Sequence, residues 1–386
     1  MNVGQSPVGH DYSDIVHTGP GTLGGRYMRM FWQPVYVSAD LPAGRAKPVT
    51  VMSEDFTIYR GENGVAQVLA PRCAHRVTLL STGWVEGDSL RCFYHGWKYA
   101  PNGRCTEAPA ERAGFANTVS IRSYPTEEYA GLIFAYLGEG DAPPFPRYKD
   151  LDDEGILEAR LYIRNCNFFN NIENQADPVH VAFAHRTSAF TEGGLIGVPQ
   201  VFAAETEWGM ALHAQREGVG VRVTQLGMPN ILHIKSSPTA PAAGWSDLFA
   251  WRVPLNDLCH MSFNVHLHRL VGEAADKYRE RQAERTAGKH RPIQELAAAI
   301  RRGELTIEDV KDHPNIVGIQ DEVAQLGQGA IADRENERLG RSDVGVALIR
   351  SLWLRDLKSI ATQGRPAKAW HWTADLAATV GVGVDA

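Results

Sequence analysis

The chain has few cysteines and no long apolar run, and each absence excludes a class of protein. Its 386 residues include only five cysteines, an odd and sparse set that argues against a disulfide framework and favours a reducing compartment. No apolar run reaches the roughly 18 residues that would predict a membrane span. The first residues, MNVGQSPVGHDYSD, lack the basic and then apolar pattern of a secretory signal. We therefore expect a cytoplasmic protein without a membrane segment.

Charge of either sign is also not in excess. With 39 Lys and Arg against 45 Asp and Glu, the net charge of -6 gives no indication of nucleic-acid binding. Glycine-rich pieces such as residues 19–25 lack the strand–turn–helix setting of a nucleotide-binding loop. If the protein takes part in nicotinamide or flavin chemistry, we expect those cofactors on a separate protein.

The pattern of residue types along the chain changes near residue 150. Before it, short strand-like runs alternate with turns, at residues 31–37, 48–52, 56–59, 65–69 and 132–137. A proline-rich stretch at 142–146 then marks a boundary. Beyond it, alternating strands fill much of 198–270, and helical composition is found at 168–184, 272–305, 321–339 and 344–357. The sequence therefore predicts an all-β domain over 1–150 and an α+β domain with a central sheet over 151–386.

A first group of metal-ligand residues lies in the all-β region. Cys73-Ala-His75 is followed, after 16 residues, by Cys92-Phe-Tyr-His95. Two thiolates and two imidazoles are the ligands of a [2Fe–2S] centre that has two Cys on one iron and two His on the other. Structural zinc is the main alternative, although such sites usually space paired ligands by two to four residues, and Cys-x-His is tighter. Unrelated core residues are the remaining alternative.

A second group follows about 80 residues later, where Asp177, His180 and His185 lie in a predicted helix. Asp177 and His180 share a helix face, whereas His185 would join them only if the helix widened or bent locally, for which a π-type distortion would suffice. Isolated helical histidines are more often packed or exposed than metal-bound. However, two His and one carboxylate form the facial triad of non-haem Fe(II), and Asp321, at the start of a predicted helix, is the preferred acid. The competing acids are Glu322, Asp309 and Asp312.

Both groups resemble motifs of one known family. Residues 73–76, Cys-Ala-His-Arg, and 92–99, Cys-Phe-Tyr-His-Gly-Trp-Lys-Tyr, resemble the two halves of the Rieske signature, with Val77 where such proteins usually have Gly. Residues 173–185, Glu-Asn-x-x-Asp-x-x-His-x4-His, resemble the mononuclear-iron motif of Rieske oxygenase alpha subunits. Asp321 falls where phthalate-dioxygenase-type members have the third iron ligand.

The resemblance implies a fold, cofactors and partners. It implies a Rieske [2Fe–2S] domain followed by a helix-grip catalytic domain. The catalytic domain would have an antiparallel sheet and bind mononuclear Fe(II). The resemblance also implies a homotrimer of subunits arranged head to tail, supplied with electrons by a separate NAD(P)H-dependent reductase or ferredoxin. Asp177 and Asn174 would be catalytic, and Asp177 would accept hydrogen bonds from its own His180 and from His95 of the partner subunit.

The predicted function is therefore that of an oxygenase. We expect it to use O2 to hydroxylate a small aromatic substrate that carries a carboxylate, as a mono- or dioxygenase. Oxidative O- or N-demethylation is the alternative within the same chemistry. A Rieske electron carrier or a zinc-binding protein is a more distant alternative, and the second ligand group argues against the carrier. Candidates to bind the carboxylate are Arg216, Arg222 and Arg252. Four histidines in strand-like segments could line the cavity, although a packed or surface role is favoured for each: His213, His233, His266 and His268.

Overall fold

The computed structural model describes residues 12–188, 197–236, 246–287 and 290–371. In these ranges the strands form four sheets, and every strand pair is antiparallel. The predicted fold class, an all-β region followed by an antiparallel sheet with helices, is confirmed.

The N-terminal region contains three of the four sheets. Their strands are β1 Trp32–Val37, β2 Arg45–Val51, β3 Glu54–Arg60, β4 Ala66–Leu69, β5 Trp84–Glu86, β6 Ser89–Arg91, β7 Lys98–Tyr99, β8 Cys105–Glu107, β9 Ser123–Tyr124, β10 Thr126–Tyr129 and β11 Leu132–Tyr136. The sheet orders are β1-β11-β10, β2-β3-β4-β9 and β5-β6-β7-β8. The small β5–β8 sheet carries the segment from residue 92 to residue 95 in the turn between β6 and β7, so a hairpin presents the second predicted ligand pair.

A seven-stranded sheet forms the rest of the β structure, in the order β12-β18-β17-β16-β15-β14-β13. Its strands are β12 Ile156–Arg164, β13 Gln200–Glu205, β14 Gly209–Arg216, β15 Gly220–Gly227, β16 Ile231–Ser236, β17 Ser246–Asn256 and β18 Cys259–His268. Arg252 lies opposite Ser262, and Trp251 lies opposite Phe263. Because side chains alternate along a strand, these two pairs point to opposite faces of the sheet.

Eight α-helices accompany the sheets in the described residues. They are α1 Ser13–Val16, α2 Leu23–Arg29, α3 Phe168–Gln175, α4 His180–Ala184, α5 Gly272–Ala287, α6 Ile293–Arg301, α7 Ile316–Gly327 and α8 Val344–Gln363. Within those residues, none is both long enough and apolar enough to cross a membrane. The helix predicted over 168–184 is interrupted after Gln175, near Pro178. The helix predicted to start at Asp321 instead starts at Ile316 and ends at Gly327.

Helix α8 holds the loop that follows α3 in position. A Cβ atom at Gly345 would lie only 2.3 Å from the backbone oxygen of Ala176, so only glycine permits this approach. On another side of α8, the Tyr27 hydroxyl of α2 donates a 2.5 Å hydrogen bond to the buried carboxylate of Asp356. The residue after Ala176 is Asp177, and its backbone is therefore anchored to the longest helix of the fold.

One apolar core connects the N-terminal sheets with the seven-stranded sheet. Phe134 of β11 meets Trp251 of β17 edge to face, with ring centroids 5.5 Å apart. Tyr148 contacts the same indole at 5.5 Å. Side chains of this size contribute much of the hydrophobic stabilisation of a core, so this contact fixes one region on the other.

Two candidate metal centres

The first predicted ligand group lies on two loops with the same backbone geometry. In each loop the cysteine N–H donates to the carbonyl oxygen five residues later, at 2.9 Å for Cys73 and 2.8 Å for Cys92. The N–H four residues after each cysteine donates back to the cysteine carbonyl, at 3.0 and 3.1 Å. A guanidinium then fixes each loop from outside: Arg72 donates to the carbonyl of Val77 at 2.9 Å, and Arg91 to that of Gly96 at 2.7 Å.

These loops bring the thiols together on one side and the imidazoles on the other. Both cysteines are buried, and burial raises the pKa of the Cys92 thiol, with Cys73 beside it raising it further. The rings of His75 and His95 have centroids 4.4 Å apart. The hydroxyl of Tyr99 lies 3.1 Å from Cys73 Sγ, where it would donate to a thiolate. Tyr99 was not among the predicted site residues.

The environment of the histidines fits a metal cluster. His75 stacks on Trp97 at 4.7 Å with an interplanar angle of 5°. His75 Nδ1 is buried and has no hydrogen-bond partner among the described residues. A buried imidazole nitrogen without a partner is costly unless it binds something, and it lies beside two thiols, which prefer iron–sulfur or zinc chemistry. His95, in contrast, is exposed.

The second group is assembled from α4, the turn after it and α7. One ligand atom from each of His180, His185 and Asp321 lies within 4.8 Å of the others. The two imidazole centroids are 5.2 Å apart, and His185 Nε2 is 3.4 Å from Asp321 Oδ1. Asp321 Oδ1 is otherwise buried without a hydrogen-bond partner in the described chain. Two imidazoles and one carboxylate at these separations fit a facial metal site.

His185 reaches the site because the helix ends before it, so of the predicted local changes the π-type distortion is wrong. Helix α4 has only five residues and ends at Ala184. His185 follows with φ -102° and ψ 16°, outside the helical region. Its side chain therefore need not point in the direction that a continued helix would give it. The turn continues with Ser188, whose N–H and hydroxyl both donate to the His185 carbonyl, at 2.9 and 2.7 Å.

Each histidine is held by a different neighbour. His180 Nδ1 contacts the backbone carbonyl of Asp177 and lies 3.8 Å from the Asp177 carboxylate. His185 Nδ1 lies 2.8 Å from the amide oxygen of Gln320. Gln320 was not predicted as a site residue, because a glutamine beside a carboxylate on a helix carries no spacing signal.

The structure distinguishes Asp321 from its competitors. Although burial raises it, His185 and Arg164 hold the pKa of the Asp321 carboxyl at about 2, so the group is ionised. Glu322 points elsewhere, accepting from the Tyr162 hydroxyl at 2.9 Å and lying 3.0 Å from Arg164. The remaining candidates, Asp309 and Asp312, are exposed on another segment.

The helix before the second group supplies structural rather than ligating contacts. The carbonyl of Asn174, a half-buried residue, accepts from the Asp177 N–H at 3.2 Å. Glu173, one residue earlier, is buried between two guanidiniums: Arg334 donates at 2.7 and 2.9 Å and Arg350 at 2.6 Å. These contacts fix the end of α3 and thus the starting point of the Asp177 loop.

Guanidiniums lie on the sheet face that is turned toward α3. Arg252 contacts the Gln175 amide and donates to Asn264 at 2.8 Å, and burial lowers its pKa to about 9. Burial likewise lowers the pKa of Arg222, on the same face, to about 10. His233 points to the opposite face, where it stacks on Phe249 and binds Asp247, so it does not line this cavity.

Known proteins resemble this chain in sequence and in fold. Residues 31–125 match the family described as the Rieske [2Fe-2S] domain. The 5,5'-dehydrodivanillate O-demethylase oxygenase subunit of Sphingobium sp. (strain NBRC 103272 / SYK-6) is 30% identical over 92% of this chain and 81% of that protein. The phenoxybenzoate dioxygenase subunit alpha of Ectopseudomonas oleovorans is 31% identical over 93% and 88%. A solved structure, the terminal oxygenase of carbazole 1,9a-dioxygenase from Novosphingobium sp. KA1, has the same fold, with a TM-score of 0.64, 20% identity, and coverage of 91% and 97%.

Proposed function

This chain belongs to the oxygenase subunits of the Rieske-type oxygenases, and from that premise we propose which residues bind its metals and which substrates it oxidises. It is an enzyme that carries a Rieske [2Fe–2S] cluster and a mononuclear iron. In our proposal residues 1–150 hold the cluster and residues 151–386 hold the mononuclear iron. When bound, the cluster supplies single electrons and the iron activates O2.

The proposed cluster ligands are Cys73, His75, Cys92 and His95. The pairing of two buried thiols with two imidazoles supports this assignment, because the cysteines would take one iron and the histidines the other. Tyr99 would donate a hydrogen bond to the Cys73 thiolate, which stabilises its negative charge. Trp97 would cover His75 and exclude water from that side, leaving the exposed His95 as the route for electrons.

The proposed ligands of the mononuclear iron are His180, His185 and Asp321, and the observation that carries the function is their convergence within 4.8 Å. Asp321 contributes the single negative charge, and the two histidines bind as neutral imidazoles. Such a triad occupies one face of an octahedral ion and leaves positions for O2 and substrate.

Asp177 would be the link between the two centres of neighbouring subunits in a head-to-tail homotrimer, with Asn174 fixing its backbone. Its carboxylate is partly exposed and lies beside His180. At the other end of the proposed contact, His95 is exposed together with Phe93 and Tyr94. Exposed apolar rings around an electron-transfer residue support a protein docking surface. An NAD(P)H-dependent reductase or a ferredoxin would supply the electrons, in the cytoplasm, where the free cysteines are compatible with a reducing compartment.

The proposed substrate is a small aromatic compound with a carboxylate. Arg252 is a buried cation on the sheet face toward the iron site, and its described side-chain contacts are the amides of Gln175 and Asn264. Arg222 lies on the same face, half-buried, and donates to the carbonyl of Lys235 at 2.9 Å. Burying a cation is costly without an opposite charge, so an anionic substrate would offset that cost. Arg216 shares this face but donates to the carbonyl of Gly197 at 2.8 Å, which gives it a structural role.

The first test is iron content with EPR spectra of the anaerobically purified protein, before and after dithionite. We expect about three irons per chain and a reduced-cluster signal of low average g. Zinc in place of iron, without a signal after reconstitution, would refute the function. A second measurement then compares O2 uptake with aromatic carboxylates and with their methyl esters. Only the acids should couple O2 uptake to product, and Arg252→Gln should raise KM for the acids.

Oxidative demethylation is the second candidate, and the demethylase name of a 30% identical relative favours it. Hydroxylation of a methoxy carbon gives a hemiacetal that releases formaldehyde, and the same ligands suffice for that reaction. Formaldehyde formed in proportion to O2 consumed with a methoxylated aromatic acid would establish demethylation. A ring-hydroxylated product without formaldehyde would establish the first candidate.

A further inference from the structure

We propose that Gln320 is the positioning residue of the mononuclear iron site, because it holds the His185 imidazole in its metal-binding orientation. This inference rests on the proposed function, in which His185 ligates the iron. It adds a residue outside the ligand triad, one to which the sequence analysis assigned no role. Gln320 immediately precedes Asp321 on α7, so one helix carries both a ligand and the residue that orients another ligand.

The first support is the hydrogen bond between the two side chains. His185 Nδ1 lies 2.8 Å from Gln320 Oε1. An amide oxygen can only accept, so Nδ1 carries the proton and the lone pair is on Nε2. Nε2 faces Asp321 Oδ1 at 3.4 Å, which is the side where the metal would bind. Gln320 therefore selects both the tautomer and the ring rotation that a metal requires.

The second support is that Gln320 is itself fixed. Its side chain is buried, and its amide nitrogen lies 2.8 Å from Thr187 Oγ1. The donor end of the amide is thereby directed to the threonine and its acceptor end to the histidine. Because Thr187 belongs to the same turn as His185, the amide closes a ring of contacts between α7 and that turn.

The third support is that each imidazole has a neutral oxygen at its Nδ1. His180 Nδ1 contacts the backbone carbonyl of Asp177, whose carboxylate lies 3.8 Å away, and His185 Nδ1 contacts the amide oxygen of Gln320. A neutral acceptor orients the ring without adding a second buried negative charge beside Asp321. Gln320 thus leaves the charge of the site to the ligand itself.

Gln320 also lines a cavity, and this affects how the residue should be replaced. The cavity has a volume of about 190 Å³ and is lined by Gln320 and Thr187 together with Phe183, Ile307 and Val323. Gln320 thus lines this space and also contacts His185. Truncating the side chain would enlarge the cavity, so a test of the hydrogen bond needs a replacement of similar volume.

The experiment compares three variants of the full chain, each with the cluster intact. Gln320→Leu keeps a side chain of similar volume, one atom shorter, and removes the acceptor. Gln320→Glu keeps an acceptor for His185 Nδ1. Gln325→Leu is the matched control, since Gln325 is also buried on α7 and its amide has no hydrogen-bond partner in the described residues. Each protein is depleted of mononuclear iron and titrated with Fe(II), and the EPR spectrum of its Fe(II)–nitrosyl form is recorded.

We expect Gln320→Leu to weaken Fe(II) binding about 10- to 100-fold and to change the nitrosyl spectrum, since loss of an orienting partner has that effect on metal sites. Gln320→Glu keeps the acceptor and adds a negative charge, so it should bind Fe(II) at least as tightly as wild type, and Gln325→Leu should match wild type. Wild-type affinity in Gln320→Leu would overturn the proposal. Equal losses in Gln320→Leu and Gln325→Leu would also overturn it, by tracing the effect to α7 packing. If the wild-type chain bound no Fe(II) beyond its cluster, the proposed function itself would fail.

Discussion

Val77 occupies in the first cluster loop the position that Gly96 occupies in the second. Both backbones are left-handed, with φ of 50° and 76°. Gly adopts this conformation without strain, whereas a β-branched residue there is an outlier that costs about 1–3 kcal/mol. We therefore predict that Val77→Gly stabilises the loop by about 1 kcal/mol, once the greater chain entropy of glycine is subtracted. Slower loss of the visible cluster absorbance on heating would be the measured sign.

The matched control for this variant is Val65→Gly. Val65 is also exposed, but its φ is not positive, so glycine relieves nothing there. That variant should be neutral or slightly destabilised. Equal stabilisation by both substitutions would mean that the strain at Val77 is not what limits the loop.

Asp177→Asn tests the link between the two centres. The asparagine can still accept from the Val179 N–H, which Asp177 Oδ1 does at 2.9 Å, so the turn should persist. We expect both metals to remain bound and electron transfer from cluster to iron to slow by at least about tenfold, since the charge beside His180 is lost. Single-turnover absorbance measures this rate, and reduction of the cluster by dithionite is the internal control. Normal turnover with the reductase would contradict the proposed role.

Replacing the histidines tests the ligands of the mononuclear iron. His180→Ala and His185→Ala should each reduce the iron content from about three to about two per chain while the cluster spectrum is unchanged. Glu322→Gln is the control, because Glu322 bonds to Tyr162 rather than to the triad, and it should keep the third iron. Loss of both metals together in a histidine variant would instead indicate misfolding.

The parts of these sites that could be predicted are those with a local spacing. Cys73 and His75 are separated by one residue, so the sequence alone could propose them as a pair of ligands. Asp321 was preferred among several acids for its place at the start of a predicted helix and by family resemblance, and the direction of its side chain separates it from Glu322. Gln320 could not be found, because its role depends on a contact between segments 135 residues apart.

The strand-borne candidates show the same limit. Alternation along β16 puts His233 on the face away from Arg252, and a shift of one residue in register would reverse that outcome. Sequence gives the alternation but not which face meets α3. Likewise, the close approach of α8 to Ala176 depends on Gly345, which nothing in the sequence distinguishes from other glycines.

Among the carboxylates that lie away from the metal sites, we expect neutralisation of Glu173 to cost the most folding stability. It is buried between Arg334 and Arg350, and Glu173→Gln would leave two buried guanidiniums without their charge partner. We expect a loss of about 3 kcal/mol or more in the free energy of unfolding, measured by denaturant titration. Glu205→Gln, which breaks partly exposed pairs with Arg355 and Lys368, should cost less than about 1 kcal/mol. Similar costs for both would contradict this ranking.

From the charges around Asp247 we predict that the protein loses stability at acid pH. Burial alone would raise the pKa of this carboxyl, but His233, Lys235 and Arg269 hold it well below its usual range. A depressed native pKa contributes stability that is present above the unfolded pKa of about 3.9 and is lost as pH falls below it. Asp247→Asn should therefore cost about 2 kcal/mol at pH 7, and the difference from wild type should shrink below pH 4. The exposed Asp312→Asn serves as the control. A difference that stayed constant with pH would contradict the assignment.

The aromatic contact of Phe134 and Tyr148 with Trp251 limits how this enzyme can be recombined with its relatives. A chimera joined at residue 150 would take one side of that contact from each parent, and rings that evolved against different neighbours would leave voids or clashes. Exchanging the electron-transfer half is therefore not a neutral operation on the catalytic half. A functional hybrid should therefore take Trp251 and the residues around it from the same parent as the exchanged segment. The useful crossover points then lie inside the seven-stranded sheet rather than at residue 150.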